Sequence, residues 1–553
     1  MQRSFIMKIK IVLFILILPL TLLFATPQTN WNRQNVFIDV NQKVLQKNPY
    51  LLQNFTRLQH FYNQRQNRPM WLSPKGIKGK RVLQLLYAIQ KDVTLNPRSS
   101  IHRKAKILKD KLAYKHTQAS IREFELELTM LYYAFLQHTI YGEIDWKAFE
   151  NHLATNRANG IDTNWVRYPL KFDVNRLMSQ ENITQTLKSL QPKGYHYKQL
   201  LSSLYKLYKI KWQGGWGKLP AFKTLKKGQT SLIVPRLRKR LLISGDYKGC
   251  SSKHSSRYFD GCLQKAVKRF QKRHNTTADG VVGRGTQKLL NISVESKIHK
   301  VLLNLDRIKW LPRKNAPRHI VVNIPEYMLH YYEYGQEQKR LRVIVGDTKH
   351  PTPIFSDMLS YLTINPYWKL PAGIIKKEVI PEMVKNPNYL KRHRLEIHET
   401  WEENSTVIPA NKINWASYLN DSNKFPYKIM QPPSPKNALG RIKFKFPNKF
   451  SVYLHDTPTK HLFKKSRRAF SHGCIRLSNP FSLLQNIAKT EPNMSVPEVN
   501  SILKSKIKME LDVTKDIPIN LVYLTTWVDS NNQLFFGDDI YKYDKYQIRK
   551  LKN

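Results

Sequence analysis

The chain has 553 residues and a net charge of +54, because its 93 Lys and Arg residues outnumber its 39 Asp and Glu residues. The length predicts several domains, and with only three cysteines the fold does not depend on a disulfide framework. Phosphates attract basic chains, but the sequence has no helix-turn-helix, zinc-finger or RNA-binding signature, so no nucleic-acid partner is predicted.

The N-terminus has the organisation of a secretory signal peptide. Basic residues precede an apolar run over residues 11–24, and Ala25 leads into a polar segment. The run has about 14 residues, fewer than the roughly 20 that a membrane-spanning helix needs. We predict a signal peptide over residues 1–25 and export of the chain. An uncleaved membrane anchor is the alternative.

Helical patterns dominate residues 29–226. The segment 126–136 (Leu-Glu-Leu-Thr-Met-Leu-Tyr-Tyr-Ala-Phe-Leu) is too apolar for a surface helix. No constellation of residues in the region suggests chemistry, so we predict a helical scaffold domain whose role is support.

A small three-helix module is predicted over residues 227–295. Segments 266–271 (Ala-Val-Lys-Arg-Phe-Gln) and 279–283 (Asp-Gly-Val-Val-Gly) resemble those of a peptidoglycan-binding module. Most of these residues are core or turn positions, so the resemblance concerns the fold more than the binding surface. The apolar positions at helical spacing are Val234, Leu237, Leu241, Leu242, Leu263, Ala266, Val267 and Phe270.

Two of the three cysteines, Cys250 and Cys262, flank an insertion in this module. In an oxidising compartment they close a short loop, which stabilises a fold by up to about 3 kcal/mol when the loop has some 15 residues. The sequence leaves open both a disulfide and a pair of unpaired thiols.

A mostly β domain is predicted over residues 318–489. Residues 318–325 and 341–346 are rich in β-branched side chains and indicate its opening strands. Residues 371–437 form a basic insertion far longer than an ordinary connection between strands, which predicts a functional or a disordered segment. Residues 490–553 contain a further strand and are predicted to complete the sheet.

The chemistry of this domain is indicated by residues 471–477 (Ser-His-Gly-Cys-Ile-Arg-Leu). His455 stands nineteen residues before Cys474, at the end of an alternating strand. A thiol that attacks an acyl group needs a lowered pKa or a base within hydrogen-bond reach, and either His455 or His472 could serve as that base. We predict that Cys474 is the nucleophile of an acyl transfer, that His455 is its base, and that His472 is a structural or substrate-facing group.

Two neighbours of the cysteine complete the predicted site. Gly473 permits a tight turn that directs main-chain N–H groups at a developing oxyanion, and Arg476 offers a cation to a carboxylate. A zinc site is the alternative, but no Cys-x-x-Cys or His-Glu-x-x-His spacing supports it. The candidate zinc ligands are His455, Asp456, His461, His472 and Cys474.

These residues resemble the active-site signature of the L,D-transpeptidases of the YkuD type. The resemblance is carried by residues 471–477 and 453–458 (Tyr-Leu-His-Asp-Thr-Pro), and it is strengthened by residues 431–444 and 469–470. Together they resemble the large, multidomain, periplasmic YcbB-like branch of the family. Residues 69–71 (Pro-Met-Trp) also resemble the N-terminal scaffold domain of that branch.

The resemblance implies a reaction on peptidoglycan in the periplasm. The cysteine attacks the carbonyl of the third-position diamino acid in a tetrapeptide stem and expels the terminal D-alanine. The side-chain amine of a neighbouring stem then takes the acyl group, which gives a 3→3 cross-link. The insertion is implied to cap the active-site cleft. No metal or organic cofactor is implied, because cysteine, histidine and main-chain donors suffice for acyl transfer.

The resemblance also assigns roles to single residues. Cys474 is implied to be the nucleophile and His455 the general base. The residues implied to shape the oxyanion loop are Ser471, His472 and Gly473. The residues implied to bind substrate are Arg476, Tyr453 and Trp368.

Stem peptides are the implied donor and acceptor, and β-lactams of the carbapenem type are the implied inhibitors. The positive charge favours long-range attraction to anionic cell-wall stems and membrane surfaces; a solvated surface without a specific ligand is the alternative. Two other functions stay open. One is a hydrolase in which water replaces the acceptor amine, and the other is a non-catalytic cell-wall scaffold.

Overall fold

The computed structural model describes residues 38, 40, 42–114, 116–250, 255–421, 424–505, 507–547 and 549. The predicted signal peptide lies outside the described residues. Within them, no helix combines the length and the apolar character that crossing a membrane requires. The chain divides into two compact units, one within residues 1–139 and 172–189 and the other within residues 140–171 and 190–551.

Helices occupy most of the chain before residue 310 and recur in short pieces afterwards. They are α1 Gln42–Leu45, α2 Pro49–Leu52, α3 Phe55–Gln64, α4 Gly79–Lys91, α5 Ser100–Lys111, α6 Gln118–Tyr141, α7 Trp146–Ala158, α8 Val174–Ser179, α9 Ile183–Leu190, α10 Tyr197–Trp212, α11 Val234–Ile243, α12 Gly261–Arg273, α13 Arg284–Leu290, α14 Val294–Lys309, α15 Ala372–Ile374, α16 Ile380–Lys385, α17 Tyr389–His393, α18 Pro480–Ala488, α19 Val496–Ser505 and α20 Tyr543–Tyr546.

The strands follow mainly after residue 317. They are β1 Leu72–Ser73, β2 Gly76–Ile77, β3 Arg318–Asn323, β4 Met328–Glu333, β5 Gln336–Gly346, β6 Phe355–Met358, β7 Tyr361–Ile364, β8 Trp368–Lys369, β9 Glu396–His398, β10 Val407–Ile408, β11 Lys428–Gln431, β12 Ile442–Lys445, β13 Leu454–His455, β14 Ala469–Ser471, β15 Ile475–Leu477, β16 Met509–Asp512, β17 Pro518–Val522, β18 Thr526–Val528 and β19 Leu534–Phe536. The predicted fold class, multidomain α+β with a helical N-terminal region, a small binding module and a mostly β domain, is confirmed.

The first unit is helical and is organised around a buried carboxylate on α6. Glu125 is fully buried and accepts a hydrogen bond from the main-chain N–H of Trp71 at 2.9 Å and from the Tyr62 hydroxyl at 2.7 Å. A buried carboxylate is tolerated only when such donors satisfy it. The Pro-Met-Trp segment is therefore a structural anchor of this unit.

The small module consists of α11, α12 and α13 around a common apolar core. The Gln271 amide donates to Asp279 at 2.7 Å and to the main-chain oxygen of Val281 at 2.9 Å, and Gln271 also accepts from the Gly280 N–H at 2.8 Å. These motif residues therefore fix a turn. Cys250 and Cys262 form a disulfide, with their Cα atoms 6.5 Å apart, which resolves the open alternative.

Helix α7 lies within the residues predicted as the scaffold domain, 29–226, and belongs to the second compact unit. Its buried residues Trp146, Phe149 and Leu153 belong to the same apolar core as the β domain. Phe149 packs edge-on against Tyr543, with ring centroids 5.5 Å apart. An amphipathic helix is stabilised mainly by the packing of its apolar face. The sequence of the helix does not show which segment that face packs against.

Eleven of the described strands form the sheet of the second unit, in the order β16-β7-β12-β13-β15-β5-β4-β3-β17-β6, with β14 paired to β5. The C-terminal segment supplies two of them, because β16 pairs with β7 and β17 lies between β3 and β6. Residues 490–553 therefore contribute to the same sheet as the opening strands.

The long insertion folds as a small layer of its own. Strands β10, β9, β11 and β8 form a separate antiparallel sheet, and its core includes Ile397, Trp415 and Ile429. The sheet begins at Trp368, which pairs with Gln431. The insertion is thus an ordered subdomain that starts shortly before the predicted residue 371.

Candidate active site

The strand register places polar side chains in one row across the sheet. His455 on β13 lies opposite Arg476 on β15 and opposite Lys443 on β12, and Lys443 lies opposite Thr363 on β7. Side chains alternate between faces along a strand, so the intervening apolar residues, such as the fully buried Leu454, face the core. The alternating sequence pattern thus produces a core face and a polar face.

Cys474 lies directly before β15 at the edge of this polar face. Its half-buried thiol donates to the Ser451 oxygen at 3.9 Å. Burial raises the pKa of the Cys474 thiol, while the Tyr453 N–H and hydroxyl and the charges of Lys443 and Arg476 act in the opposite direction. Because burial has the largest effect, the resting cysteine is a neutral thiol.

His455 is buried on the adjacent strand, with 5% of its surface exposed. Burial, followed by the charge of Arg476, lowers the pKa of His455 to about 3. The resting imidazole is therefore neutral. No hydrogen bond between His455 and Cys474 is present among the described residues, as is common before substrate tightens a catalytic contact.

The loop before the cysteine is held from both sides. Gly473 has φ +105°, a conformation that favours glycine, and its main-chain oxygen accepts from the buried Thr352 hydroxyl at 2.8 Å. The buried Ser471 hydroxyl donates to the Cys474 oxygen at 2.5 Å. Ser471 and Gly473 therefore fix the main chain around the predicted nucleophile.

His472 points towards the insertion. Its exposed Nε2 lies 3.1 Å from the Glu378 carboxylate, which belongs to a π-helical turn after α15. The ring of His350 lies on its other side, with centroids 4.6 Å apart. The structure therefore places His472 at the contact between the cysteine loop and the insertion.

The predicted substrate-binding residues separate into two groups. Arg476 is half-buried on the polar face and donates to the Thr459 hydroxyl at 3.4 Å. Tyr453 stacks edge-on against His455, with ring centroids 5.6 Å apart. Trp368 instead packs on the core of the insertion, and the contacts among the described residues do not join it to Cys474.

Lys443 also belongs to this face, although the sequence does not predict it as a site residue. Its Nζ lies 4.1 Å from the centroid of the Tyr453 ring. Burial, with the charge of Lys445 as the next cause, lowers the pKa of Lys443 to about 8. The alternation of Ile442, Lys443 and Phe444 indicates a strand, but only the pairing with β13 shows that the lysine shares a face with His455.

The described residues hold no group of three His, Cys, Asp or Glu side chains placed to bind a metal ion. Asp456, a candidate zinc ligand, instead accepts from the Arg441 N–H at 2.9 Å and pairs with Lys460. Its carboxylate therefore braces the start of β12.

Comparison with protein families identifies three regions. Residues 317–494 match the YkuD model, described as "L,D-transpeptidase catalytic domain". Residues 56–204 match a "Scaffold domain", and residues 232–290 match a "Putative peptidoglycan binding domain". The polar face around Cys474 lies inside the first of these matches.

One curated relative agrees with the first of these matches. A curated protein of Haemophilus influenzae, described as "Putative L,D-transpeptidase", is 35% identical over 254 residues, which cover 46% of this chain and 50% of the relative. The chain thus spans about half the length of this relative.

Two solved structures were also matched. The L,D-transpeptidase of Xylanimonas cellulosilytica shares 14% identity at a TM-score of 0.17, over 55% of this chain and 99% of that one. The L,D-transpeptidase of Stackebrandtia nassauensis shares 13% identity at a TM-score of 0.19, over 55% of this chain and 96% of that one.

Proposed function

We propose that this chain, which carries a YkuD L,D-transpeptidase catalytic domain beside a peptidoglycan-binding domain, forms 3→3 cross-links between peptidoglycan stems through a thioester on Cys474. One observation carries the proposal: His455 on β13 lies opposite Arg476 on β15, and Cys474 directly precedes β15, two residues before Arg476 and so on the His455 side of the sheet. A thiol beside a neutral base is the combination that acyl transfer requires.

The first half of the reaction makes the thioester. His455 takes the thiol proton while Sγ attacks the carbonyl carbon of the third stem residue, because neither a free thiolate nor an imidazolium is favoured in the resting site. The oxyanion forms beside the loop of Ser471, His472 and Gly473, whose main-chain N–H groups are the candidate donors. The C–N bond to the terminal D-alanine then breaks, and the imidazolium returns its proton to the departing amine.

The second half transfers the acyl group. The side-chain amine of the acceptor stem attacks the thioester carbonyl and gives up a proton to His455. The C–S bond breaks, and the proton returns to Sγ, so that enzyme is regenerated with one amide bond lost and one formed. The low pKa of His455, about 3, favours this return, because burial disfavours the imidazolium in every step.

The predicted signal peptide and the match to a peptidoglycan-binding domain support a periplasmic location on the cell wall. Carbapenems are proposed as inhibitors, because a β-lactam carbonyl acylates the same thiol. The basic surface supports attraction to anionic envelope components.

Mass spectrometry of muropeptides tests the proposal. Residues 26–553 and a Cys474→Ala variant are incubated with tetrapeptide-containing peptidoglycan fragments. We expect dimers joined through two third-position residues only when Cys474 is present. Tripeptides without dimers would identify a hydrolase, and unchanged fragments with both proteins would leave the non-catalytic scaffold.

A further inference from the structure

Lys443 occupies a position that the proposed chemistry leaves without a role. It stands between His455 and Thr363 in the polar row of the sheet, half-buried. A lysine that loses water normally gains a carboxylate partner. Among the described residues, no carboxylate lies within ion-pair distance of its Nζ.

The surroundings of Lys443 are predominantly cationic or aromatic. Lys445 on its own strand and Lys369 on the insertion both disfavour its charge, and Cys474 and Glu510 favour it. Glu510 lies opposite Thr363 on β16, two strands from Lys443 and so about 10 Å away in the sheet. It is also 3.6 Å from Lys508. The close partner of the ammonium is the face of Tyr453, a contact that leaves its donors available.

We propose that Lys443 binds a carboxylate of the donor stem and selects stems in which that carboxylate is free. The inference rests on the proposed function. Lys443 lies on β12 and Cys474 directly precedes β15, with β13 between the two strands, so the two main chains are about 10 Å apart in the sheet. The flexible lysine side chain spans part of that distance. A stem held with its acyl carbon at Sγ would therefore bring its carboxylates towards the ammonium.

Three carboxylates of a tetrapeptide stem share this chemistry: those of the second residue, of the far end of the third residue, and of the terminal D-alanine. Each is neutralised separately by amidation. Release of D-alanine, or of its amide, is measured over a range of donor concentrations for the full chain, for Lys443→Gln and for Lys443→Arg. Lys445→Gln is the matched control, because Lys445 lies two residues along the same strand, over the ring of Tyr361 at 4.9 Å.

For the unmodified donor we expect Lys443→Gln to raise KM about tenfold, the loss typical of one hydrogen bond to a charged group, with kcat nearly unchanged. Of the three amidated donors, one should have a KM about tenfold higher than the unmodified donor with the unaltered chain. For that donor Lys443→Gln should raise KM no further, and its amidated position identifies the carboxylate that Lys443 binds. Lys443→Arg should keep most of the discrimination, and Lys445→Gln should behave as the unaltered chain.

Two results would overturn the inference. If Lys443→Gln raised KM by the same factor for the unmodified donor and for each of the three amidated donors, the lysine would recognise no carboxylate. A parallel loss of Cys474 alkylation by the neutral reagent iodoacetamide would mean that Lys443 acts on the thiol. Failure of the proposed function is distinct from both, because the unaltered chain would then release no D-alanine from any donor.

Discussion

Gly473 holds the main chain before Cys474 at φ +105°. A Cβ there would lie 3.9 Å from Val452 Cγ2 and 4.0 Å from the His350 oxygen, which are ordinary contact distances. An alanine at this position would therefore be strained by its positive φ and not by a steric clash. We expect Gly473→Ala to destabilise the fold by about 1–3 kcal/mol and to slow acylation of Cys474 at least tenfold. Thermal unfolding and carbapenem mass addition measure the two effects.

Gly76 supplies the matched control, because it has φ +107° and a Cβ added there would have no atom within 4 Å, yet it lies in the other compact unit. Gly76→Ala should cost similar stability and leave the acylation rate unchanged. If the two variants slowed acylation equally, the loop around Cys474 would have no special part in the reaction.

The two ionisations at the site predict an unusual pH profile. The pKa of His455 is about 3 and that of Cys474 is raised, so both groups keep one protonation state between about pH 5 and 8. The rate of carbapenem acylation of Cys474, followed by mass spectrometry, should therefore show no acid limb near the ordinary histidine pKa of about 6.5. An acid limb that His455→Gln abolishes would show instead that an imidazolium forms in the resting site.

The insertion meets the cysteine loop through Glu378 and His472, and both partners are about half exposed. An exposed pair contributes little, about 0–1 kcal/mol, so Glu378→Gln should raise KM for the donor less than about fivefold. Cross-linking rates over a range of donor concentrations measure this, and the charge-preserving Glu378→Asp is the control. A loss larger than a hundredfold would give Glu378 a part in the reaction itself.

Removal of the insertion is a stronger test of its predicted capping role. The antiparallel pairing of Lys369 with Met430 allows residues 371–428 to be replaced by Asn-Gly, which favours a tight hairpin. The shortened chain should lose cross-linking while Cys474 still reacts with iodoacetamide. The unfolding transition shows whether the shortened chain is folded. If it is folded and still forms cross-links, the insertion does not act as a cap that the reaction requires.

The elements that the sequence predicts well are those whose signal is local. The β-branched residues of segment 318–325 predict strand β3, and the helical spacing in residues 263–270 predicts α12, because each signal lies within one element. The motif over residues 471–477 likewise marks the cysteine loop. Its catalytic role stays a prediction that the Cys474→Ala variant tests.

What the sequence leaves undetermined depends on contacts between distant segments. Strand register places Lys443 and His455 on the same face, and α7 packs against Tyr543, almost four hundred residues further along the chain. Resemblance alone assigns Trp368 to the pocket; its side chain packs on the insertion core, and its substrate-binding role stays a prediction. Pairing partners and register are set by tertiary packing that no single segment encodes.

For the whole molecule, the net charge of +54 should act on binding to the cell wall before any chemistry takes place. Screening shortens the range of these charges from about 10 Å at 0.1 M salt to about 3 Å at 1 M. We expect co-sedimentation of the full chain with purified peptidoglycan to fall at least tenfold across that range, because many weak attractions to stem carboxylates are lost together.

The Cys474→Ala variant should sediment as the unaltered chain does, since the proposed attachment depends on the charge and on the module at residues 232–290 and not on the thiol. Peptidoglycan whose stem carboxylates are amidated should give the weak, salt-independent binding even at 0.1 M. If binding to unmodified peptidoglycan did not change with salt, recognition would lie in the module and the basic surface would serve only solubility.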